Sequence, residues 1–348
     1  MSKKDNDFAV FIGRFQPPHK RHIEAMQQGL NIAEKLIIVL GSAKAARNIK
    51  NPFSVQERED MIRSCFSDAE NKNIIIKTVR DYYYNDNNWV ADVQQKVGSV
   101  TGDNKKIVLL GLKKDSTSYY LDLFPQWKRE NIHGEAVLNA TDIRNILFDA
   151  LNTSPLDKIQ KTVDAPVVKY LSNWILVNQD KFDSLCDEWE FIRSYKEQWK
   201  AAPYPVTFTT TDAVVVKSGH VLVVKRKFNP GKGLLALPGG FLQQNKTLFE
   251  SALNELKEET RILVSKDVLA KCLKDHKEFD HPNRSLRGRT VTHAYYFELP
   301  AGGDLPQVKG SDDAEHAMWI PVAEVYEKQD MFYEDHFQII DFFYSRGR

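Results

Sequence analysis

The chain has 348 residues, 42% hydrophobic and 27% charged, a length and balance that point to a globular protein of two domains rather than one. Its formal net charge of +1 excludes a global field that would gather nucleic acid or an anionic membrane, so small anions must be met by local basic clusters. Cys65, Cys186 and Cys272 lie too far apart for a disulfide framework or a zinc knuckle, and neither a membrane-spanning run nor a signal-type segment after MSKKDND is present, so a cytoplasmic protein with reduced thiols is expected.

Phe8 to Ile12 is a strand-like run that stops at Gly13, and a polar turn then brings His19 and His22 to the start of an amphipathic helical segment ending near Ala33. Such a junction aims free backbone N–H groups and the positive end of a helix at one spot, and two imidazoles three residues apart add donors there. The arrangement suits phosphate; helix capping is the plainer alternative. Lys35 to Leu40 reads as a buried parallel strand, so the strand, helix, strand order implies a right-handed crossover and a doubly wound sheet. Gly41 to Arg58 begins at a strand's C-terminal end, where open α/β sheets bind ligands, and Ser54 with Glu57 forms a capping-box pattern. A third strand, Ile74 to Val79, leads into RDYYYNDNNW, Arg80 to Trp89, whose rings suit stacking on a base or a pyridinium; core packing is the alternative for Trp89. Lys106 to Leu110 is a fourth strand, with Lys113, Asp115 and Ser118 just beyond its end, and NATDIR, Asn139 to Arg144, opens another helix.

Leu151 to Lys200 is helical in pattern, interrupted at Pro155 and Pro166, and closes at Ala201 to Pro205. Phe191 to Trp199 could equally be a dimer-forming helix, which leaves a homo-oligomer open. From Val206 the pattern becomes short strands, Ala213 to Val216, His220 to Lys225 and Leu234 to Phe241, followed by a helix carrying Glu255, Glu258 and Glu259. At i, i+3 and i+4 these carboxylates share one face, and hard oxygen ligands suit Mg²⁺ or Mn²⁺; a solvated face is the alternative. Arg284, Arg287 and Arg289 occupy one loop before a strand, Val291 to Leu299, and suit a diphosphate or an adenine face unless the loop is merely exposed. Asp312, Asp313 and Glu315 follow as candidates for a general base.

GRFQPPHKRH resembles the HxGH motif of the nucleotidyltransferase superfamily, in the version carried by archaeal-type nicotinamide mononucleotide (NMN) adenylyltransferases, with Arg21 where that family usually has Gly. GSA with NPFSxxER is similar to the matching family segment, and NATDIR resembles its ISSTxxR motif with Asn139 and Ala140 in place of two small residues. The resemblance implies a Rossmann-like doubly wound domain over residues 1–185 that joins NMN to ATP. It implies that His19, His22 and Arg144 meet the phosphates. Gly13, Arg14, Phe15, Arg47, Asn51, Lys113, Asp115, Asn139 and Thr141 would contact nucleotide, and Asp81 and Trp89 the nicotinamide end. A phosphate oxygen of NMN is already ionised at neutral pH, so the chemistry needs positioning and charge neutralisation rather than a base.

LPGGF followed by GFLQQNKTLFESALNELKEETRI resembles a Nudix box. Gly240, Glu255, Leu256, Glu258, Glu259 and Ile262 match; Lys246, Asn254 and Arg261 stand where the family has Glu, Arg and Gly. The first two changes read as loss of a bracing ion pair, and the third should cost about 1 kcal/mol if the backbone there is left-handed. The resemblance implies an α/β/α-sandwich Nudix domain with a mixed sheet over residues 206–348, joined by a helical linker, 186–205. Its metal would be held by Glu255, Glu258 and Glu259, and its substrate, ADP-ribose, met by Gly239, Gly240, Arg284, Arg287 and Arg289. The chain as a whole is similar to bifunctional NMN adenylyltransferase/Nudix hydrolases that use Mg²⁺ or Mn²⁺; a Nudix domain that senses ADP-ribose or NAD without cleaving it is the rival expectation.

Overall fold

In the computed structural model, residues 4–103, 105–111, 116–132, 139–311 and 313–346 are described, and the chain divides into two compact units, Met1–Trp189 and Glu190–Arg348.

The first unit is built on five parallel strands, β1 (Asn6–Gly13), β2 (Ala33–Leu40), β3 (Ile74–Thr78), β4 (Ile107–Gly111) and β5 (Lys128–Asn131), in the order β3-β2-β1-β4-β5. The inner strands are apolar on both faces because both are covered. Ala9, Phe11, Leu36, Ile38 and Leu110 pack on Met26 and Leu30 of α1 (Lys20–Ile32), whereas Phe8, Val10, Ile37, Val39 and Leu109 pack on Val93 and Val97 of α4 (Asp86–Thr101). Chain direction across the sheet reverses between β1 and β4, so the C-terminal ends of those two strands frame the crevice where such sheets take ligands. The helix expected to run to Ala33 ends one residue earlier, because Ala33 already begins β2. β5 was not expected: KREN has no apolar alternation, which an exposed edge strand can do without.

Around this sheet lie α2 (Val55–Arg63), α3 (Asp68–Asn71), α5 (Ala140–Phe148), α6 (Pro155–Ile159), α7 (Ala165–Val177) and α8 (Gln179–Gln198). Pro155 and Pro166 sit in the first turns of α6 and α7, where the missing N–H is no loss; they open helices rather than interrupt one. α8 runs on past the division at Trp189 and takes up residues 186–198.

The second unit has a mixed sheet, β10 (Leu273–Phe279), β11 (Arg289–Glu298), β6 (Thr207–Lys217), β7 (His220–Arg226) and β12 (Ala314–Pro321) in that order, with β8 (Leu235–Ala236) on β7 and β9 (Gly239–Phe241) on β6. The β11–β6 pair is parallel and the others antiparallel. The single strand expected over Leu234 to Phe241 is split where Pro238, which has no N–H to give a ladder, lends only its carbonyl to Ala213. α9 (Leu248–Thr260) packs Ala252, Leu253 and Leu256 on Ala213, Val215 and Phe297, while Phe342 and Phe343 of α12 (His336–Arg346) meet Phe279 and Tyr296. α10 (Lys266–Lys271) and α11 (Val322–Glu327) complete the unit. Among the described residues no helix is long and apolar enough to cross a membrane.

Candidate active sites

In the first unit the loop after β1 is fixed from several sides. Phe15 adopts a left-handed backbone (φ 52°) and folds its ring back under Gly13, where a Cβ would come within 2.7 Å of that ring, so the glycine is required by contact. His19 is the N-cap of α1; its ring stacks on that of His22 with centroids 3.6 Å apart, and its backbone N–H donates to His22 Nδ1 at 3.3 Å. The two histidines therefore cap the helix and also stand at its positive end. Because His22 Nδ1 accepts, the proton of its neutral ring lies on Nε2. Arg21 lies inside α1 and is absent from the residues with positive φ, so the usual glycine is replaced at an ordinary helical position.

Arg144 reaches the same loop from α5. Nearly buried, it donates to the Gln16 carbonyl at 2.8 Å and to Thr141 Oγ1 at 3.1 Å. Burial lowers its pKa to about 10, with Arg14 nearby adding to the effect, so it remains a cation at neutral pH. Gln16 exchanges two hydrogen bonds with the Phe53 backbone, at 2.8 and 2.9 Å, locking the β1 loop to the segment before α2. Arg58, quoted in the sequence motif without a role, is 1% exposed and donates to the carbonyls of Arg14 and Gly41 at 2.8 and 2.7 Å. Burial lowers its pKa to about 10, partly offset by Asp81. Two guanidinium groups, those of Arg58 and Arg144, thus hold carbonyls of one short loop, with the charge of Arg14 near both.

The other expected nucleotide contacts divide. Arg47 is held by Glu57 at 3.0 and 3.1 Å and stands over the Trp174 ring, and Glu57 also accepts from Trp174 Nε1 at 2.7 Å. Although burial pushes the Glu57 carboxyl up, hydrogen bonds from Arg47, Trp174 and Ser54 hold it below its ordinary range. Arg47 therefore braces the loop through its guanidinium. Asn51 is buried, and its Oδ1 has no partner among the described residues, an acceptor open to a ligand. Asp81 accepts from Ser42 Oγ at 3.0 Å. Trp89 is half-buried, edge-on to Phe124 and Tyr120, so the packing alternative accounts for much of its surface. Asn139 caps α5, its Oδ1 accepting from Thr141 N–H at 2.8 Å and Asp142 N–H at 3.1 Å, which turns its acceptor to the helix rather than to nucleotide. Lys113 and Asp115 lie outside the described residues.

In the second unit a cavity of about 320 Å³ opens at the β9–α9 junction, lined by Asp212, Arg226, Glu255, Glu259, Arg287 and Glu334 among others. Gly239 donates its N–H to Glu259 at 3.0 Å. A Cβ on Gly240 would come within 2.6 Å of the Glu255 carboxylate, and one on Gly239 within 2.3 Å of the Thr211 carbonyl, so the two glycines let strand and helix carboxylates approach. Glu259 is buried, which raises its pKa to about 8; Glu255 and Asp212 push it further, and the Gly239 N–H and Arg226 oppose them.

The three carboxylates expected to act together are not placed alike. Glu258 is exposed and does not line the cavity, and among the described residues no group of three His, Cys, Asp or Glu stands close enough to hold a metal. Positions i and i+4 keep the same face turned inward, whereas i+3 rotates to the rim; Asp212 of β6, which accepts from Thr292 Oγ1, also lines the cavity. Hard oxygen donors, one lifted well above its ordinary pKa, fit a divalent cation, which would favour the ionised form of Glu259.

The bracing ion pair is replaced rather than lost. Asn254 donates to Gln243 Oε1 at 2.8 Å, Gln243 Nε2 donates to Glu255 Oε1 at 3.3 Å, and Gln243 N–H donates to Ser251 Oγ at 3.2 Å, so neutral amides tie the loop to α9 and orient Glu255. Lys246 is exposed. Arg261 ends α9 in the left-handed conformation, φ 45° and ψ 30°, as expected of the position where the family has glycine.

The three loop arginines part company. Arg284 lines the cavity too, but it is buried and its Nε and Nη2 are held by Asp335. Arg289 pairs with Asp280 outside the cavity. Arg287 lines the cavity 5.0 Å from the Phe241 ring, and its Nε has no partner among the described residues. Of the candidate bases, Asp313 lines the cavity, Glu315 is paired with Lys225 at the surface, and Asp312 lies outside the described residues. Sequence reasoning missed Asp212, Arg226 and the run Tyr333, Glu334 and His336, which comes from distant strands and from the start of α12. His336 Nδ1 accepts the Leu237 N–H at 2.8 Å, so its Nε2 carries the proton, and burial lowers its pKa.

Known proteins share both halves of this geometry. The profile of the cytidylyltransferase-like family matches residues 10–212 and that of the NUDIX domain residues 207–343. A bifunctional NMN adenylyltransferase/ADP-ribose pyrophosphatase from Francisella tularensis, solved with AMP and a manganese ion, is 33% identical, covers 98% of this chain and 99% of its own, and superposes with a TM-score of 0.89. A nicotinamide/nicotinic acid mononucleotide adenylyltransferase from Acinetobacter baylyi is 40% identical over 144 residues, 41% of this chain and 76% of that protein. An ADP-ribose pyrophosphatase from Methanocaldococcus jannaschii is 35% identical over 107 residues, 30% of this chain and 57% of that protein.

Proposed function

The chain belongs to the family of bifunctional NMN adenylyltransferase/ADP-ribose pyrophosphatases, and we propose that each of its units carries one of those activities. The first transfers AMP from ATP to NMN, giving NAD and pyrophosphate. An NMN phosphate oxygen attacks the α-phosphorus of ATP and the bond to the bridging oxygen of the leaving pyrophosphate breaks. The observation that carries this reading is the convergence of Arg144, Arg58 and the His19–His22 pair on the loop after β1. On this reading Arg144 and His22 Nε2 donate to the phosphates, Arg58 fixes the loop that receives them, and Asn51 Oδ1 accepts from the substrate. Mg²⁺, when bound, would neutralise further phosphate charge.

The second unit hydrolyses ADP-ribose to AMP and ribose 5-phosphate. The supporting observation is the cavity lined by Glu255, Glu259 and Arg287 together with the close-approaching Gly239 and Gly240. Glu255 and Glu259 would contribute oxygen ligands to a divalent cation, Mg²⁺ or Mn²⁺, which supplies Lewis-acid activation of water and phosphate. Arg287 would receive the diphosphate, and Asp313 and Glu334 stand where a proton acceptor is needed. The sensor reading draws on one observation, the outward position of Glu258. One preparation incubated with NMN, ATP and Mg²⁺, and separately with ADP-ribose and Mg²⁺ or Mn²⁺, tests both proposals by chromatography of the products. Binding of ADP-ribose without AMP release would favour the sensor.

A further inference from the structure

Beside the carboxylate cavity lies an aromatic cluster that the chemistry above does not use. Trp199, just beyond α8, meets Phe208 of β6 edge to face with centroids 5.2 Å apart; Tyr195 is 5.6 Å from Phe208, and Phe241 of β9 is 5.9 Å from it on another side. Packing of this kind would ordinarily hide the rings. Yet Trp199 and Phe241 remain 44% and 41% exposed, because hollows of about 440 and 410 Å³ open beside them, each lined by Trp199, Val206 and Phe208. Phe241 also lines the first hollow and Arg287 the second, and these same two side chains line the cavity of Glu255 and Glu259.

The shared wall sets what can occupy the hollows. A diphosphate held at Glu255 and Glu259 extends past Arg287, whose guanidinium can face an anion while lying 5.0 Å from the Phe241 ring. The group attached to that diphosphate then enters a space walled by exposed rings, which suit a flat heteroaromatic group better than a sugar. We propose that Trp199, Phe208 and Phe241 form a stacking subsite for the nucleobase of the nucleoside diphosphate cleaved at the Glu255–Glu259 centre, with Arg287 at the junction on the adjoining phosphate. The inference rests on the hydrolase reading above and adds to it that residues before β6 complete the substrate site.

The test uses the full chain. Trp199→Ala should raise the KM for ADP-ribose about tenfold or more while leaving kcat within about twofold, because a stacked base is held alike in the ground and transition states. Product inhibition separates the two ends of the substrate: AMP should inhibit the variant about tenfold less well, and ribose 5-phosphate equally well. Trp199→Phe should restore most of the loss, and Phe241→Leu should repeat it. Unchanged KM and AMP inhibition in Trp199→Ala would overturn the subsite. So would a change confined to oligomeric state by size-exclusion chromatography, since Trp199 would then serve contact between copies. If the parent does not cleave ADP-ribose with either metal, the hydrolase reading fails separately. The subsite is then decided by calorimetric binding of ADP-ribose, where the same tenfold loss supports it and equal affinity overturns it.

Discussion

Arg284 and Asp335 hold each other through two hydrogen bonds, Nε and Nη2 to the two carboxylate oxygens at 2.9 and 2.8 Å, with side chains only 2% and 0% exposed. The attraction of Asp335 outweighs burial and keeps the Arg284 guanidinium well above its ordinary pKa. The pair pins the loop carrying Arg287 to the residue just before α12, so it shapes the cavity that Arg284 itself lines.

Removing one partner leaves a buried charge unmatched. Arg284→Ala should therefore destabilise the second unit by about 3–5 kcal/mol, whereas Arg284→Met combined with Asp335→Leu should recover most of that loss. Thermal unfolding of the three proteins makes the comparison. A single variant as stable as the parent would show that the pair contributes nothing.

Arg144→Ala should reduce NAD formation by about 10²–10³-fold, and His22→Ala should act in the same direction, because each removes a donor from developing phosphate charge. Arg144→Lys should rescue poorly, since an ammonium cannot reproduce a planar guanidinium that bonds Gln16 and Thr141 together. ADP-ribose turnover measured in the same samples shows whether the protein remains folded.

Glu259 gives a pH signature. With its folded pKa near 8 and its ordinary value near 4.5, the folded protein keeps a proton that the unfolded chain has released, so metal-free stability should fall as pH rises from about 4.5 to about 8. The loss should be on the order of 4 kcal/mol across that window. Glu259→Gln, which mimics the protonated form and can still accept the Gly239 N–H, should flatten the profile and abolish hydrolysis. Mn²⁺ at pH 8 should raise the melting temperature of the parent and much less that of the variant.

Arg261→Gly should stabilise the second unit by about 1 kcal/mol, because a left-handed backbone that strains a side-chain-bearing residue suits glycine. Chemical denaturation measures it. A destabilised variant would mean that the arginine side chain holds the end of α9 by contacts that outweigh the backbone cost.

Much of this was legible in the sequence because the informative residues lie at strand ends and helix starts, where local pattern and chemistry coincide. Gly13, His19 and His22 are consecutive parts of one strand–loop–helix junction, and Glu255 and Glu259 lie one turn apart on one helix. What the sequence hid depends on the tertiary fold. Asp212 reads as a polar break in an apolar strand until β9 and α9 are seen packed over it, and Arg284 reads as a free cation until Asp335, half a hundred residues on, is found beneath it. Arg58 had no role in the sequence reading because nothing local reveals that the carbonyls of Arg14 and Gly41 converge on it. Gln243 could take over the lost brace only because the turn after β9 sets it opposite Asn254.

The parallel pairing of β6 with β11 also bears on how the protein is made. β1 and β2 are separated by one helix and can find each other soon after both leave the ribosome, whereas β6 must wait about 80 residues for its parallel neighbour, Thr207 pairing with Arg289. Until then the central strand of the second sheet has an open edge, and the apolar residues of α9 have only part of their floor. A nascent chain stalled before β11 would expose an aggregation-prone surface after the first sheet is complete, so the second unit is where chaperone dependence and premature truncation should be felt most strongly.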